Sequence, residues 1–258
     1  MSLSGQTALV TGASRGLGRA IARRLAREGA AVWVNYVSRG SDADKVVEEI
    51  HSAGGRANAI RADIGDPTQV QDMMSRVMSE MGPLSILVNN AGLAIRGTLE
   101  TFNPPDLERM RRTNVDGLIH VTRAAIPGMQ ERRYGRIVNI TSIAGHGTTL
   151  PGSTFYAATK AAVSTLTRRF AMELSPQGIT VNAVAPGFIL TDMVKDGRSA
   201  DEYEKLLKSI SGLSMVGRVG DPEDIAHAVA FLVSPESGFI TAQVITVDGG
   251  RMDYIGHP

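Results

Sequence analysis

The feature that most constrains this chain is an alternation: short, almost wholly apolar runs are each followed by an amphipathic stretch of helical length. The runs fall at Thr7–Val10, Ala31–Asn35, Ala57–Arg61, Ile86–Val88, Arg136–Ile140, Thr180–Val184 and Val244–Val247. A strand with one face in water alternates apolar and polar residues, whereas a strand apolar throughout must be covered on both faces. Helices lying between such strands supply the cover and leave the strands parallel. The pattern therefore predicts an α/β fold: a single-domain, Rossmann-type doubly wound parallel sheet of about seven strands flanked by helices, spanning residues 1–258.

Such a two-sided core needs apolar residues, and a hydrophobic content of 43% provides them. The net charge of +1, with no basic run interleaved with aromatics, argues against a nucleic-acid partner. No apolar run reaches the length of a membrane span. Met1–Gly5 has neither the charge nor the apolar stretch of an export signal, and there is no cysteine, so the expected location is the cytoplasm. The five histidines are scattered and no thiolate is present, so no metal site is expected.

The first strand runs straight into Thr11-Gly12-Ala13-Ser14-Arg15-Gly16-Leu17-Gly18. Glycines let a backbone turn tightly and approach a ligand, and the helix that follows aims free N–H groups and its positive end at an anion. Gly12, Ser14, Gly16, Leu17 and Gly18 are therefore assigned to a dinucleotide pyrophosphate. A carboxylate at the end of the second strand would bind a ribose 2′-hydroxyl and repel a 2′-phosphate. Here Asn35-Tyr36-Val37-Ser38-Arg39 offers none, and Ser38, Arg39 and Arg15 form a polar, cationic cradle. NADP(H) is favoured over NAD(H), which remains the other possibility. After the third strand, Asp63 with Ile64 is placed to accept from the adenine amino group or to act as a turn carboxylate.

Asn90, Ala91 and Gly92 end the fourth strand and fill the crevice where strand order reverses. Asn114 lies inside a long helical stretch, Asp106 to Arg132, where asparagine is unfavourable and marks an irregularity. Ser142 follows the fifth strand, and Pro186-Gly187-Phe188-Ile189-Leu190-Thr191 follows the sixth. Tyr156 and Lys160 stand one helical turn apart, so phenol and ammonium share a face. A nearby cation lowers a phenol's pKa, which makes the pair a candidate proton donor and acceptor.

Taken in order, Thr11-Gly12-x3-Gly16-x-Gly18, Asn89-Asn90-Ala91-Gly92, Asn114, Ser142, Tyr156-x3-Lys160 and Pro186-Gly187 resemble the short-chain dehydrogenase/reductase superfamily over essentially the whole chain. Within it, the chain looks most like the 3-oxoacyl-carrier-protein reductases. The resemblance implies a nicotinamide cofactor, a small-molecule carbonyl or alcohol substrate and a homotetramer. It makes Tyr156 the proton donor to a carbonyl oxygen that Ser142 also binds. Lys160 would hold the nicotinamide ribose and lower the Tyr156 pKa, and Asn114 would hold a water in a proton relay. Asn90, Ile189 and Thr191, beside Pro186 and Gly187, would position the nicotinamide half. A sugar or polyol dehydrogenase is the alternative activity, and a catalytically silent nucleotide-binding protein the alternative class.

Two departures accompany the resemblance. The loop Ile143 to Phe155, which carries His146, makes the Ser142-to-Tyr156 spacing one residue longer than in many relatives. Of the basic pair expected for an acyl carrier protein, Arg133 matches while Gln177 takes the other place. Residues 188–219, with a helical patch Glu202–Ile210 and apolar Leu190, Met193, Leu213 and Met215, read as a lid over substrate. The tail Arg251–Pro258 either covers a neighbouring site or hangs free.

Overall fold

The computed structural model describes residues 2–148, 150–191 and 199–254. Seven strands form one parallel sheet: β1 (Thr7–Val10), β2 (Ala31–Tyr36), β3 (Arg56–Arg61), β4 (Leu84–Asn89), β5 (Gly135–Ile140), β6 (Ile179–Pro186) and β7 (Val244–Val247), in the spatial order β3-β2-β1-β4-β5-β6-β7. Every expected run is a strand, lengthened at most by a few residues.

The strands alternate between two cores. Ala8, Val10, Val32, Val34, Val138 and Ile140 face one. Leu9, Trp33 and Ile137 face the other. Because successive strand side chains point to opposite faces, continuous apolar sequence means that both faces are dry. The first face is covered by α1 (Gly16–Arg27), α2 (Gly40–Ser52) and α8 (Pro222–Val233). The second is covered by α3 (Pro67–Met81), α5 (Leu118–Glu131) and α6 (Thr154–Leu174). Two further helices, α4 (Pro104–Arg111) and α7 (Ala200–Ser211), lie outside this pattern.

The order reverses between β1 and β4, so the chain leaves these neighbours in opposite directions and opens a crevice at their carboxyl ends. Thr11 N–H donates to the Val88 carbonyl at 3.0 Å, carrying the pairing one residue beyond β1. Thr11 Oγ1 then accepts from Asn90 N–H and Ala91 N–H, both at 3.0 Å. Buried amides tie the sheet where apolar side chains could not. Asn35 donates to the Ile60 and Ala62 carbonyls, Asn89 to Asn139 and Thr122, and Asn139 to Thr167.

Candidate active site

The glycine loop closes on the crevice floor. Gly12 has φ +61, and a Cβ there would stand 2.9 Å from Ala91 Cα. A Cβ on Gly18 would stand 2.5 Å from the Gly12 carbonyl oxygen and 2.6 Å from Asn90 Nδ2. Only glycine lets α1 start this close to the loop and the β4 end. Asn90 donates to the Thr11 and Gly12 carbonyls at 2.8 and 3.1 Å, so its amide braces the loop. Gly12 N–H donates to Asn35 Oδ1 at 3.2 Å. Ser14, Arg15, Gly16 and Leu17 are half-buried, and Arg15 takes the extended backbone of an N-cap before α1.

At the end of β2, Ser38 and Arg39 are exposed. The Arg39 guanidinium stands 3.5 Å from Asp42, which also meets Lys45 at 3.6 Å. This carboxylate lies in the first turn of α2 rather than at the strand end, and two cations flank it. Asp63 Oδ1 accepts from Gly65 N–H at 2.9 Å, and Oδ2 accepts from Arg112 Nη2 at 2.6 Å. Asp63 is thus a turn carboxylate locked by an ion pair, and Ile64 beside it is buried.

The long helical stretch is interrupted as Asn114 suggests. Arg112–Gly117 forms a π turn between α4 and α5. Asn114 is 2% exposed. Its Oδ1 accepts from Leu93 N–H at 2.7 Å, and its Nδ2 donates to the Leu93 carbonyl and to Thr159 Oγ1, both at 2.9 Å. Thr159 in turn donates to the Tyr156 carbonyl at 2.8 Å. The π turn therefore grips the start of α6, the helix that carries Tyr156 and Lys160.

Ser142 stands in extended backbone just past β5, its hydroxyl accepting from Ala144 N–H at 3.1 Å. Tyr156 shares a side-chain hydrogen bond with it. Lys160 is buried, donates to the Ile140 carbonyl at 2.8 Å and has its Nζ 5.8 Å from the centre of the Tyr156 ring. Burial pushes the lysine pKa down to about 8. It pushes the Tyr156 phenol up, and the Ser142 hydrogen bond pulls it back only in part. This corrects the expected lowering by the neighbouring cation: both groups leave water together, and for the phenol desolvation outweighs attraction across that gap.

The other expected positions also converge. Pro186 ends β6, and Gly187 N–H donates to the Val247 carbonyl at 2.9 Å. Ile189 pairs with Gly220, which joins the two ends of the segment expected to be a lid. A Cβ on Gly16 would lie 3.5 Å from Thr191 Cγ2, so this segment faces the glycine loop. One on Gly92 would lie 3.3 Å from both Asn114 Oδ1 and Lys160 Nζ. The expected helical patch is α7, while Met193 lies outside the described residues. Sequence reading gave Thr11 and Asn35 no role of their own and missed Arg112 and Thr159. A polar residue closing an apolar run was the available signal for Thr11 and Asn35, and nothing local marked the other two.

A family model described as enoyl-(acyl carrier protein) reductase matches residues 12–251. A 3-oxoacyl-[acyl-carrier-protein] reductase from Staphylococcus aureus is 43% identical over 245 residues, 95% of this chain and 97% of the relative. The chain belongs to the short-chain dehydrogenase/reductase family. It is accordingly an oxidoreductase, and solved structures of such enzymes superpose closely. A 3-oxoacyl (acyl-carrier-protein) reductase of Agrobacterium tumefaciens C58 with NADP bound gives a TM-score of 0.89 at 35% identity, covering 96% of this chain and 95% of its own. A 7α-hydroxysteroid dehydrogenase complexed with NADH and 7-oxo glycochenodeoxycholic acid gives 0.91 at 34% identity, covering 99% and 97%. Among the described residues, no group of three or more His, Cys, Asp or Glu could hold a metal ion, and no helix is long and apolar enough to cross a membrane.

Proposed function

We propose that this enzyme reduces a ketone to a secondary alcohol with NADPH, using Ser142, Tyr156, Lys160 and Asn114 at the mouth of the switch-point crevice. The observation that carries the reading is the convergence of a buried ammonium, a phenol and a serine hydroxyl beside the glycine loop. The fit to a nicotinamide dinucleotide rests on the same geometry. Lys160 has three donors and one protein acceptor, Ile140, so two remain for the ribose hydroxyls. The loop from Gly12 to Gly18 leads into the α1 N-terminus, whose free backbone N–H groups would hold a diphosphate. Pro186, Gly187, Ile189 and Thr191, with Asn90, Ala91 and Gly92, would hold the nicotinamide half.

When bound, the reduced nicotinamide supplies the hydride. Ser142 donates to the substrate carbonyl oxygen and stabilises the charge that develops there. Tyr156 gives that oxygen its proton. A phenol whose pKa is raised by burial keeps its proton at neutral pH, which suits an acid in the reductive direction. Lys160 is held by Ile140 close to the site, and Asn114 anchors the start of the same helix, from where a water would reconnect the lysine to solvent.

NADP over NAD is supported by Arg15 and Arg39 and by the absence of a carboxylate at the end of β2. Of the two superposed structures, one holds NADP and the other NADH. A homotetramer is supported by exposed Met172 on α6 and by Phe231 and Phe239 near the β7 edge. The expected cytoplasmic location rests on the cysteine-free composition. Carrier-protein recognition has weaker support: Arg133 donates to the Pro176 carbonyl at 3.0 Å, and Gln177 offers no charge.

The test is NADPH consumption with acetoacetyl thioesters, cyclic ketones and β-keto esters, in the parent and in Tyr156→Phe. Loss of at least ~100-fold in kcat with cofactor affinity preserved is expected. A Tyr156→Phe protein as active as the parent would overturn the assignment.

A further inference from the structure

The motifs leave two segments without a role, the loop Ile143–Phe155 and the C-terminal tail, and the structure brings them together. After β7 the chain passes Asp248-Gly249-Gly250, where a Cβ on Gly187 would stand 2.6 Å from Asp248 Cβ, and forms a strap. Met215 and Val216, at the end of the lid segment, donate backbone N–H groups to the Gly250 and Gly249 carbonyls at 3.1 Å, and Met252 donates to the Leu213 carbonyl at 3.1 Å. Ser214 pairs antiparallel with Arg251, and Thr148 pairs antiparallel with Tyr254. The strap therefore spans from the lid on one side to the Ser142 loop on the other.

It is firmly built. Arg251 binds Asp253 through Nε and Nη2 at 2.7 and 2.6 Å, with side chains only 7% and 11% exposed. Tyr254 donates its hydroxyl to Asp248 Oδ2, while Gly250 N–H donates to Oδ1 at 2.9 Å. These contacts hold the Tyr254 ring 6.5 Å from the His146 ring, tilted by 31°. His146 lies only four residues beyond Ser142. Of the ten large apolar side chains most exposed on the described surface, four belong to these three segments: Leu150, Met215, Val216 and Met252. Scattered exposed hydrophobes are ordinary, but these four are gathered on segments that pair with one another next to the loop that begins at Ser142.

We propose that the strap is a wall of the substrate site, that Tyr254 and His146 are specificity-determining residues, and that the wall receives the body of a hydrophobic, ring-bearing ketone. The inference rests on the reading of Ser142 and Tyr156 as the carbonyl site. Two aromatic faces and thioether side chains match a flat apolar ring. A polyhydroxylated substrate would leave hydroxyls against methionine and leucine without partners. A long polar thioester arm gains little from such a wall.

The test compares the parent, Tyr254→Ala, Tyr254→Phe and His146→Ala, using 1-decalone as the ring ketone and acetoacetyl-coenzyme A as the thioester. Tyr254→Ala should raise the KM for 1-decalone about tenfold, with kcat, NADPH affinity and the KM for the thioester within twofold of the parent. His146→Ala should shift the same KM about threefold. Tyr254→Phe keeps the ring and should restore the parent KM within twofold, a rescue that general unfolding would not give. Unchanged KM values, or equal losses on both substrates and on NADPH, would overturn the proposal. Saturation-transfer NMR of 1-decalone binding separates the two readings. Weaker binding to Tyr254→Ala, with no turnover by the parent on any ketone, would sink the reductase assignment and leave the wall standing.

Discussion

Replacing Lys160 by methionine gives a test of the buried ammonium that needs neither substrate nor cofactor. Burial lowers its pKa from the usual 10.5 to about 8 in the folded protein, while the unfolded chain keeps the usual value. Between those values the unfolded state binds more protons than the folded one, so stability rises with pH across that window. Below about pH 8 the burial penalty is fully present, and by pH 10.5 it has vanished. At ~1.4 kcal/mol per pH unit, the gap corresponds to on the order of 3 kcal/mol. Lys160→Met removes the charge and the hydrogen bond to the Ile140 carbonyl, the latter a pH-independent loss of ~1 kcal/mol. Urea unfolding of both proteins at pH 7, 8, 9 and 10, without cofactor, isolates the lysine because the other titrating groups cancel in the difference. The methionine variant should hold its largest advantage at pH 7 and lose it steadily above pH 8. A difference that stays flat from pH 7 to 10 would refute the desolvation of Lys160 and with it the account of this site's electrostatics.

Three other outcomes follow from the geometry. Gly18→Ala forces a Cβ to within 2.5 Å of the Gly12 carbonyl, so NADPH affinity measured by fluorescence titration should fall at least ~10-fold. Arg15→Ala combined with Arg39→Ala should raise the KM for NADPH about tenfold and leave that for NADH within twofold, as expected when two charge-assisted contacts to a 2′-phosphate are lost. For the reductive reaction, kcat/KM should decline as pH rises through about 8, because Lys160 loses its charge there while the raised Tyr156 pKa keeps the phenol protonated.

What the sequence disclosed and what it hid divide along physical lines. Strands apolar on both faces, such as Ala31–Asn35, could only be central in a covered sheet, so the doubly wound fold was legible. Asn114 betrayed its π turn because asparagine serves poorly inside an ordinary helix. The Tyr156 ionisation was misjudged because spacing on a helix gives proximity to Lys160 but says nothing of how far both groups leave water. Arg112 on Asp63, and Tyr254 beside His146, join residues 49 and 108 positions apart in the numbering, and no local pattern announces such pairings. The tail, read as covering a neighbouring site or hanging free, is tied at Tyr254 to Thr148 of the loop after Ser142, a pairing 106 positions apart in the numbering; Ile255 to Pro258 lie outside the described residues.

The wide turn at Arg112–Gly117 also bears on how this fold can lose its chemistry. Such a turn holds one residue more than the regular spiral needs, so excising a single position there would let α4 and α5 fuse into one unbroken rod with both ends still facing their old neighbours. The protein would keep its shape while Asn114 surrendered its grip on Thr159. A one-residue deletion there would thus free the start of α6, the helix of Tyr156 and Lys160, while leaving the sheet untouched.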